Sequence, residues 1–113
     1  MLQNRIAIVT GAGGGLGRAH ALLLARYGAK VVVNDMNESA AARVAEEIVA
    51  AGGEAIAIAA SVTDEAQVAA MVERTVQAWG RVDILVNNAG ILRDKSFVKM
   101  TLADFRQVNR ATL

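Results

Sequence analysis

The sequence predicts a doubly wound α/β fold in which a parallel sheet carries helices on both faces. Two observations lead to this prediction. Short runs rich in β-branched residues alternate along the chain with longer stretches of helical periodicity. The short runs show only weak apolar–polar alternation, which is typical of strands that are covered on both faces. Right-handed crossovers between such strands place the helices on both sides of the sheet.

The composition fits one packed domain. The chain has 113 residues, 54% of them hydrophobic and 20% charged, with a formal net charge of +1. This balance argues against a disordered protein and against nucleic acid as a partner. There is no cysteine and a single histidine, so thiolate metal sites are excluded and no other metal site is expected. The N-terminal segment resembles neither a secretory signal nor a membrane span, and we expect a cytoplasmic protein that does not bind membranes.

Four strands are predicted, each short and apolar. They span residues 5–10, 30–35, 54–59 and 82–87. In a doubly wound sheet, the second and third strands add on one side of the first strand and the fourth strand adds on its other side, which gives the order 3-2-1-4. In this order the fourth strand lies at an edge, and its outer side is expected to be bare.

The segments between these strands have helical period and recognisable ends. One apolar stripe comprises Ala41, Val44, Ala45 and Ile48, and a second comprises Val68, Met71, Val72, Thr75, Val76 and Trp79. Gly28, Gly52 and Gly80 stand just past three predicted helices, where a left-handed residue readily ends a helix. Asp64 and Gln67 have the spacing of a capping box before the third helix.

Five glycines occupy the junction of the first strand and first helix, in the segment TGAGGGLG at residues 10–17. Backbone N–H groups and the positive end of the helix dipole at such a junction can bind a phosphate or diphosphate. Gly11, Gly15 and Gly17 are spaced G-x-x-x-G-x-G, and no Gly-Lys-Ser/Thr follows, which disfavours a nucleoside-triphosphate loop. Glycines also serve tight turns for steric reasons alone, and the loop by itself leaves that alternative open.

An acidic residue closes the second predicted strand. Asp35 lies eighteen positions beyond Gly17, where its carboxylate can accept hydrogen bonds from both hydroxyls of an adenosine ribose. The same carboxylate would repel a 2′-phosphate and no arginine adjoins it, so NAD is favoured over NADP. The alternative is that Asp35 caps a turn together with Asn34 and Asn37. A glycine loop at the right distance upstream favours the ribose site.

The glycine loop, Asp35 and the segment NNAG at residues 87–90 together resemble the short-chain dehydrogenase/reductase family, over the whole chain. The resemblance implies a Rossmann-type domain that binds NAD. The implied cofactor-binding residues are Gly11, Gly13, Gly15, Leu16, Gly17, Asp35, Ser61, Val62, Asn88, Ala89 and Gly90.

The resemblance also implies individual roles. Gly11, Gly15 and Leu16 would lie against the diphosphate, and residues 88–90 would line the cofactor near its second ribose. Asn87 would mainly tie the fourth strand to its neighbours. Small residues at 89 and 90 agree with this, because they let backbone approach a ligand at the carboxyl ends of the strands.

The run GILRDKSF at residues 90–97 resembles more narrowly the members that act on 3-hydroxyacyl or 3-oxoacyl thioesters. These include peroxisomal-type hydroxyacyl-CoA dehydrogenase domains and acyl-carrier-protein reductases. The complete enzyme would therefore move a hydride between nicotinamide and a hydroxyl/carbonyl carbon of a small-molecule substrate. Pairing of two copies through the last helix is also implied.

The chain departs from the family pattern at several places. Ser61 stands where an aspartate usually contacts the adenine amino group, and Thr112 stands where the active-site asparagine is expected. The last helix, with a capping box at Thr101 and Asp104, is expected to end uncapped at residues 111–113. We therefore expect self-association through this helix and the bare strand edge.

The residues that transfer protons in the family are missing. Its serine and Tyr-x-x-x-Lys pair would follow beyond residue 113, and the chain's single tyrosine, Tyr27, closes the first helix. We expect residues 1–113 to be an NAD-binding domain without the C-terminal catalytic half, and we assign no catalytic residue.

Two other classes of function remain open. The chain could be a nucleotide-binding module without enzymology, such as a regulator or one half of a split enzyme. It could also be an S-adenosylmethionine-dependent methyltransferase, which likewise places a glycine loop after the first strand and an acid after the second. The NNAG segment argues against the methyltransferase.

Overall fold

A computed structural model describes residues 1–89 and 111–112, and within them one parallel sheet is flanked by helices. The strands are β1 (Ile6–Thr10), β2 (Lys30–Asp35), β3 (Glu54–Ala59), β4 (Ile84–Asn87) and β5 (Ala111–Thr112). The helices are α1 (Gly15–Arg26), α2 (Glu38–Ala50) and α3 (Glu65–Trp79). None of these helices is long and apolar enough to cross a membrane.

The order of the strands across the sheet is β3-β2-β1-β4-β5, and every pair is parallel. The predicted order 3-2-1-4 of the first four strands is confirmed. The chain leaves β1 through α1 toward β2 and returns through α3 to the other side of β1. The topological switch point therefore lies between β1 and β4, where open parallel sheets bind ligands at the carboxyl ends of their strands.

Alternate strand residues enter two separate cores, because successive side chains of a strand point to opposite faces of the sheet. The core on the α1–α2 side includes Ala7, Val9, Val31, Val33, Ala41, Val44 and Ile48. The core on the α3 side includes Ile8, Val32, Val68, Met71 and Val72. The predicted stripe on α2 is buried; on α3, Val68, Met71, Val72 and Thr75 are buried, whereas Val76 and Trp79 are half-buried. The prediction of helices on both faces is confirmed.

The predicted helix ends are present. Gly28, Gly52 and Gly80 have φ values of +102°, +96° and +88°, in the region that favours glycine. Asp64 caps α3, since its Oδ1 accepts the N–H groups of Ala66 and Gln67 at 2.9 and 3.2 Å.

The capping box before α3 has an altered second half. Gln67 Nε2 donates to the Asp64 side chain at 3.0 Å, while Gln67 Oε1 accepts the N–H of Ser61 at 2.8 Å. The backbone N–H of Asp64 donates instead to the carbonyl of Ser61. The cap of α3 is thereby joined to the loop after β3.

The end of the described chain differs from the prediction. Ala111 and Thr112 form β5, which pairs with Ile84 and Leu85 of β4, so the prediction that a helix extends through these two residues is wrong. The prediction of a bare β4 edge is wrong at the same positions. Both errors have one physical cause: the β4 backbone offers hydrogen-bond partners that compete with local helix formation, and periodicity contains no information about that pairing. Residues 90–110, which include Gly90, GILRDKSF and the remainder of the predicted last helix, lie outside the described residues.

Candidate functional site

The glycine loop at the start of α1 has an open outer surface. Gly11 and Gly15 have φ values of +59° and +56°, a conformation that other residues adopt with strain. A side chain added at Gly14 or Gly15 would meet no atom of the described residues within 4 Å. No side chain caps the first turn of α1 among the described residues, and no acidic residue lies in that turn. The N–H groups of this turn are therefore available to an anion from outside.

The inner surface of the loop is packed against its neighbours without space for side chains. A Cβ at Gly17 would lie 2.0 Å from the Gly11 carbonyl oxygen, so α1 sits directly on the loop. A Cβ at Gly11 would lie 2.9 Å from the Ala89 Cα. The glycines thus bring α1, the loop after β1 and the loop after β4 into backbone contact.

Asp35 ends β2 beside this loop, with both carboxylate oxygens engaged. Oδ2 accepts the N–H of Gly13 at 2.9 Å, and Oδ1 accepts the N–H of Asn37 at 2.9 Å. The bond to Asn37 is the turn that the sequence offered as an alternative role. The bond to Gly13 joins the same carboxylate to the glycine loop, so the turn and the loop contact occur together.

Asn34 lies inside the fold, whereas the sequence suggested a turn residue. Its side chain is buried, and Nδ2 donates to the carbonyls of Ile58 and Ala60 at 3.0 and 3.2 Å. Its own carbonyl accepts the N–H of Ala12 at 2.7 Å. Asn34 therefore ties the end of β3 and the glycine loop to β2. An amide residue directly before the acid at a strand end is the sequence signal for this role.

Thr10, the last residue of β1, organises the segment after β4. Its buried hydroxyl donates to Asn87 Oδ1 at 2.9 Å and accepts the N–H groups of Asn88 and Ala89 at 3.0 and 3.1 Å. Asn88 Nδ2 lies 3.4 Å from the Gly11 carbonyl oxygen, in a weak hydrogen bond. Asn87 ties β4 to β1, as the resemblance implies, and Thr10 is the partner that sequence reasoning did not assign.

A cleft of about 320 Å³ gathers several of the predicted site residues. Its lining includes Gly11, Asp35, Ser61, Val62 and Ala89. At its wall the Ser61 hydroxyl lies 2.8 Å from the Thr63 hydroxyl. Within the described residues no group of three or more His, Cys, Asp or Glu side chains could hold a metal ion. The cleft therefore combines one carboxylate, hydroxyls and small apolar residues.

A second cavity, of about 550 Å³, is larger but lies elsewhere. It is formed where α1 and α2 end, and its lining includes Leu22, Arg26, Ile48 and Gly52. It contains none of the predicted site residues. Size alone would select this cavity, but the smaller cleft holds Asp35, whose carboxylate accepts the N–H of Gly13 in the glycine loop.

Asp83 holds β4 against β1 at the end of the sheet away from the glycine loop. The side chain is buried, and its Oδ2 accepts the N–H of Ile6 and the Nε–H of Arg81, both at 2.9 Å. The guanidinium of Arg5 lies 3.7 Å from Oδ1. Together with Thr10, Asp83 fixes the register that places Asn88 and Ala89 over the glycine loop.

Arg18 follows the glycine loop but is engaged by α2. Its Nε donates to Glu47 Oε1 at 2.8 Å, and its Nη2 contacts the second carboxylate oxygen. The hydrogen bond from Arg18 lowers the pKa of the Glu47 carboxyl, desolvation opposes this effect, and the charge of Arg18 adds to it. Both side chains are exposed.

Of the implied cofactor residues outside the cleft, Gly13, Gly15, Leu16 and Gly17 lie on the glycine loop and the first turn of α1, and Asn88 follows β4. Leu16 is 71% exposed. Thr112 lies in β5, at the far side of β4 from β1. Gly90 lies outside the described residues.

The chain was compared with known proteins. It is 54% identical over 116 residues to peroxisomal multifunctional enzyme type 2 of Drosophila melanogaster, covering 95% of this chain and 19% of that protein. It is 47% identical over 108 residues to a 3-oxoacyl-[acyl-carrier-protein] reductase of Synechocystis sp., covering 95% of this chain and 44% of that protein. The chain thus spans less than half the length of each.

A solved structure shares both the fold and much of the sequence. It is a 7α-hydroxysteroid dehydrogenase complexed with NADH and 7-oxo glycochenodeoxycholic acid, with a TM-score of 0.74 and 43% identity, covering 76% of this chain and 34% of that one. The family model for short chain dehydrogenases matches residues 5–112. This chain belongs to the short-chain dehydrogenase family.

Proposed function

We propose that this chain binds NAD and forms the cofactor-binding part of an oxidoreductase. One observation carries the proposal: the carboxylate of Asp35 lines the cleft and accepts the N–H of Gly13, and Gly13 belongs to the glycine loop that leads into the uncapped first turn of α1. The α1 turn can hold a diphosphate and the carboxylate a ribose, so the pair matches the diphosphate and the ribose of an adenosine diphosphate moiety.

Each residue has a specific part in binding. The first turn of α1 would hold the diphosphate, because its dipole and N–H groups favour an anion and Gly14 and Gly15 leave space for it. Asp35 would accept hydrogen bonds from the adenosine ribose and repel a 2′-phosphate, which favours NAD over NADP. Ser61 and Val62 would line the adenine, and Asn88 and Ala89 the second ribose.

The complete enzyme would act on a hydroxyl or carbonyl carbon. The bound nicotinamide supplies the hydride chemistry, while the protein holds and orients it. The name of one relative, a 3-oxoacyl-[acyl-carrier-protein] reductase, and the segment GILRDKSF support a 3-hydroxyacyl or 3-oxoacyl thioester as the substrate. Cytoplasmic location and pairing through the last helix remain predictions, as does the absence of turnover from residues 1–113 alone.

Calorimetric titration of the 113-residue chain tests the cofactor. NAD is expected to bind more tightly than NADP, and S-adenosylmethionine is expected not to displace it. Asp35→Ala should weaken NAD by about tenfold or more, since a hydrogen bond to a charged group contributes about 1.5–3 kcal/mol. Glu73→Ala is the matched control, because it removes an exposed carboxylate whose hydrogen bond is to Gln77 of its own helix α3. No heat from NAD, or displacement by S-adenosylmethionine, would overturn the proposal.

Enzyme activity is tested separately. The chain alone is expected to form no NADH from NAD and a 3-hydroxyacyl thioester, because it lacks the tyrosine–lysine pair that moves the proton. The absorbance of NADH is the readout. Sustained turnover by the 113-residue chain would contradict this expectation without affecting the binding proposal.

A further inference from the structure

Gly13 differs from the other glycines of its loop. Its φ lies outside the left-handed region that Gly11 and Gly15 occupy, so its backbone conformation does not require glycine. Contacts require it instead. A Cβ at this position would lie 2.8 Å from Asp35 Oδ2 and 2.8 Å from the Cβ of Ala40, which is in the first turn of α2. Real Cβ atoms do not approach other atoms so closely, so a side chain here would displace the carboxylate, α2 or the loop.

The carboxylate that Gly13 contacts is fixed in position. The N–H of Gly13 holds one oxygen from the side of the glycine loop, and the N–H of Asn37 holds the other from the start of α2. Rotation of the side chain would break a charge-assisted hydrogen bond, which is stronger than a neutral one. The negative charge of Asp35 therefore cannot move away from an incoming 2′-phosphate at low cost.

We infer that Gly13 is a specificity-determining residue: the missing side chain lets Asp35 lock onto the loop, and the locked carboxylate selects NAD against NADP. The inference rests on the proposed function and assigns the selectivity to a pair of residues rather than to Asp35 alone. It also makes Asp35 a positioning residue for the diphosphate loop, in addition to its contact with ribose.

Gly13→Ala tests the selectivity. The added methyl should push the carboxylate off the Gly13 N–H, so the Kd for NAD should rise by about tenfold or more while the Kd for NADP changes less. The preference for NAD therefore falls. Gly14→Ala is the matched control, because Gly14 has an extended φ of −176° and no atom within 4 Å of an added Cβ. Any effect of Gly14→Ala on diphosphate binding should be the same for NAD and NADP, so the ratio of their two Kd values should stay constant.

A second arm separates positioning from direct contact and does not depend on the folding of Gly13→Ala. The probe is 2′,3′-dideoxyadenosine diphosphate, which has no ribose hydroxyls for Asp35 to bind. If Asp35 acted only through ribose, Asp35→Ala would leave this anion's affinity unchanged or raise it by removing a negative charge. If Asp35 positions the loop through Gly13, Asp35→Ala should raise the Kd for this anion several-fold in an NMR titration. Glu73→Ala is again the control for loss of a charge.

The outcomes distinguish the two proposals. No NAD binding by the unaltered chain overturns the proposed function and this inference with it. If the unaltered chain binds NAD but the ratio of the Kd values for NAD and NADP is the same in Gly13→Ala and Gly14→Ala, the inference is overturned and the proposed function stands. Tighter or unchanged binding of the dideoxy nucleotide by Asp35→Ala overturns the positioning role. If Gly13→Ala does not fold, the affinity of Asp35→Ala for the dideoxy nucleotide still decides whether Asp35 positions the loop.

Discussion

Two buried polar side chains, one at each end of the β1–β4 pair, hold these two strands in register. Thr10 bonds the segment after β4, and Asp83 bonds the start of β1. Each satisfies backbone N–H groups that are not paired within the sheet, and a buried N–H group without a partner is costly. The position of the candidate site therefore depends on residues that would not touch a ligand.

We predict that Thr10→Val lowers the free energy of unfolding by about 2 kcal/mol, because it leaves the N–H groups of Asn88 and Ala89 without their acceptor. Thr75→Val is the control, since Thr75 is equally buried but its hydroxyl only donates back to the Met71 carbonyl of its own helix. Urea denaturation measures both variants. An equal loss in the two would show that the hydroxyl of Thr10 has no special role.

At the scale of the elements, the contact of α1 with the glycine loop depends on one missing side chain. Gly17 lies within α1, where helix propensity alone predicts that alanine stabilises by about 1 kcal/mol. The Gly11 carbonyl oxygen, 2.0 Å from the added Cβ, predicts the opposite. The two effects differ in sign, so one measurement separates them.

Gly17→Ala is therefore expected to destabilise the protein by about 3 kcal/mol or more, because the clash is with backbone that cannot yield without moving α1. Gly14→Ala should change the free energy of unfolding by no more than about 0.5 kcal/mol. Thermal denaturation by circular dichroism compares them. A Gly17→Ala protein as stable as the unaltered chain would contradict the packing described here.

The pair of Arg18 and Glu47 gives the α1–α2 contact a dependence on pH. The folded-state pKa of Glu47 is lowered, so its ion pair stabilises the fold above the unfolded pKa and loses this contribution as pH falls through the folded pKa. Glu47→Gln should therefore be slightly less stable than the unaltered chain at pH 7, and the difference should vanish in acid. Since both groups are exposed, added salt should shrink it as well. A difference that grows in acid would reverse the sign and refute the assignment.

At the scale of the whole molecule, ligand and fold should be linked. The candidate site draws on the ends of β1, β2, β3 and β4, so a ligand held there would bind the folded chain and not the unfolded one. NAD at about 100 times its Kd should then add about 2.7 kcal/mol to the free energy of unfolding. The melting temperature should rise with NAD concentration. A melting temperature independent of NAD would count against the site.

Association between copies is also a property of the whole chain. The sequence predicts self-association through the last helix and the edge of β4, yet β5 covers Ile84 and Leu85 of that edge. The remainder of the predicted last helix falls on residues outside the described ones, so that part stays a prediction. Sedimentation velocity over a range of concentrations tests it, and a monomer at high concentration would contradict it.

Local sequence patterns were enough to predict the first four strands and the three helices between them. The β-branched runs predict four strands, the apolar stripes predict which faces of the helices are buried, and the glycines after the helices predict their ends. These features depend on neighbours three or four positions away in a helix and two away in a strand. The glycine spacing and Asp35 predict a dinucleotide site for the same reason, because the βαβ unit that presents them is itself local.

Only the tertiary structure decided how those residues are connected. Thr10 meets Asn88 and Ala89 across 78 and 79 positions, and the carboxylate of Asp35 meets Gly13 across 22. Ala111 and Thr112, predicted to be helical, form a strand because they pair with the backbone of β4. The physical reason is common to all three: a hydrogen bond or close contact between distant segments depends on chain topology, which periodicity and composition do not contain.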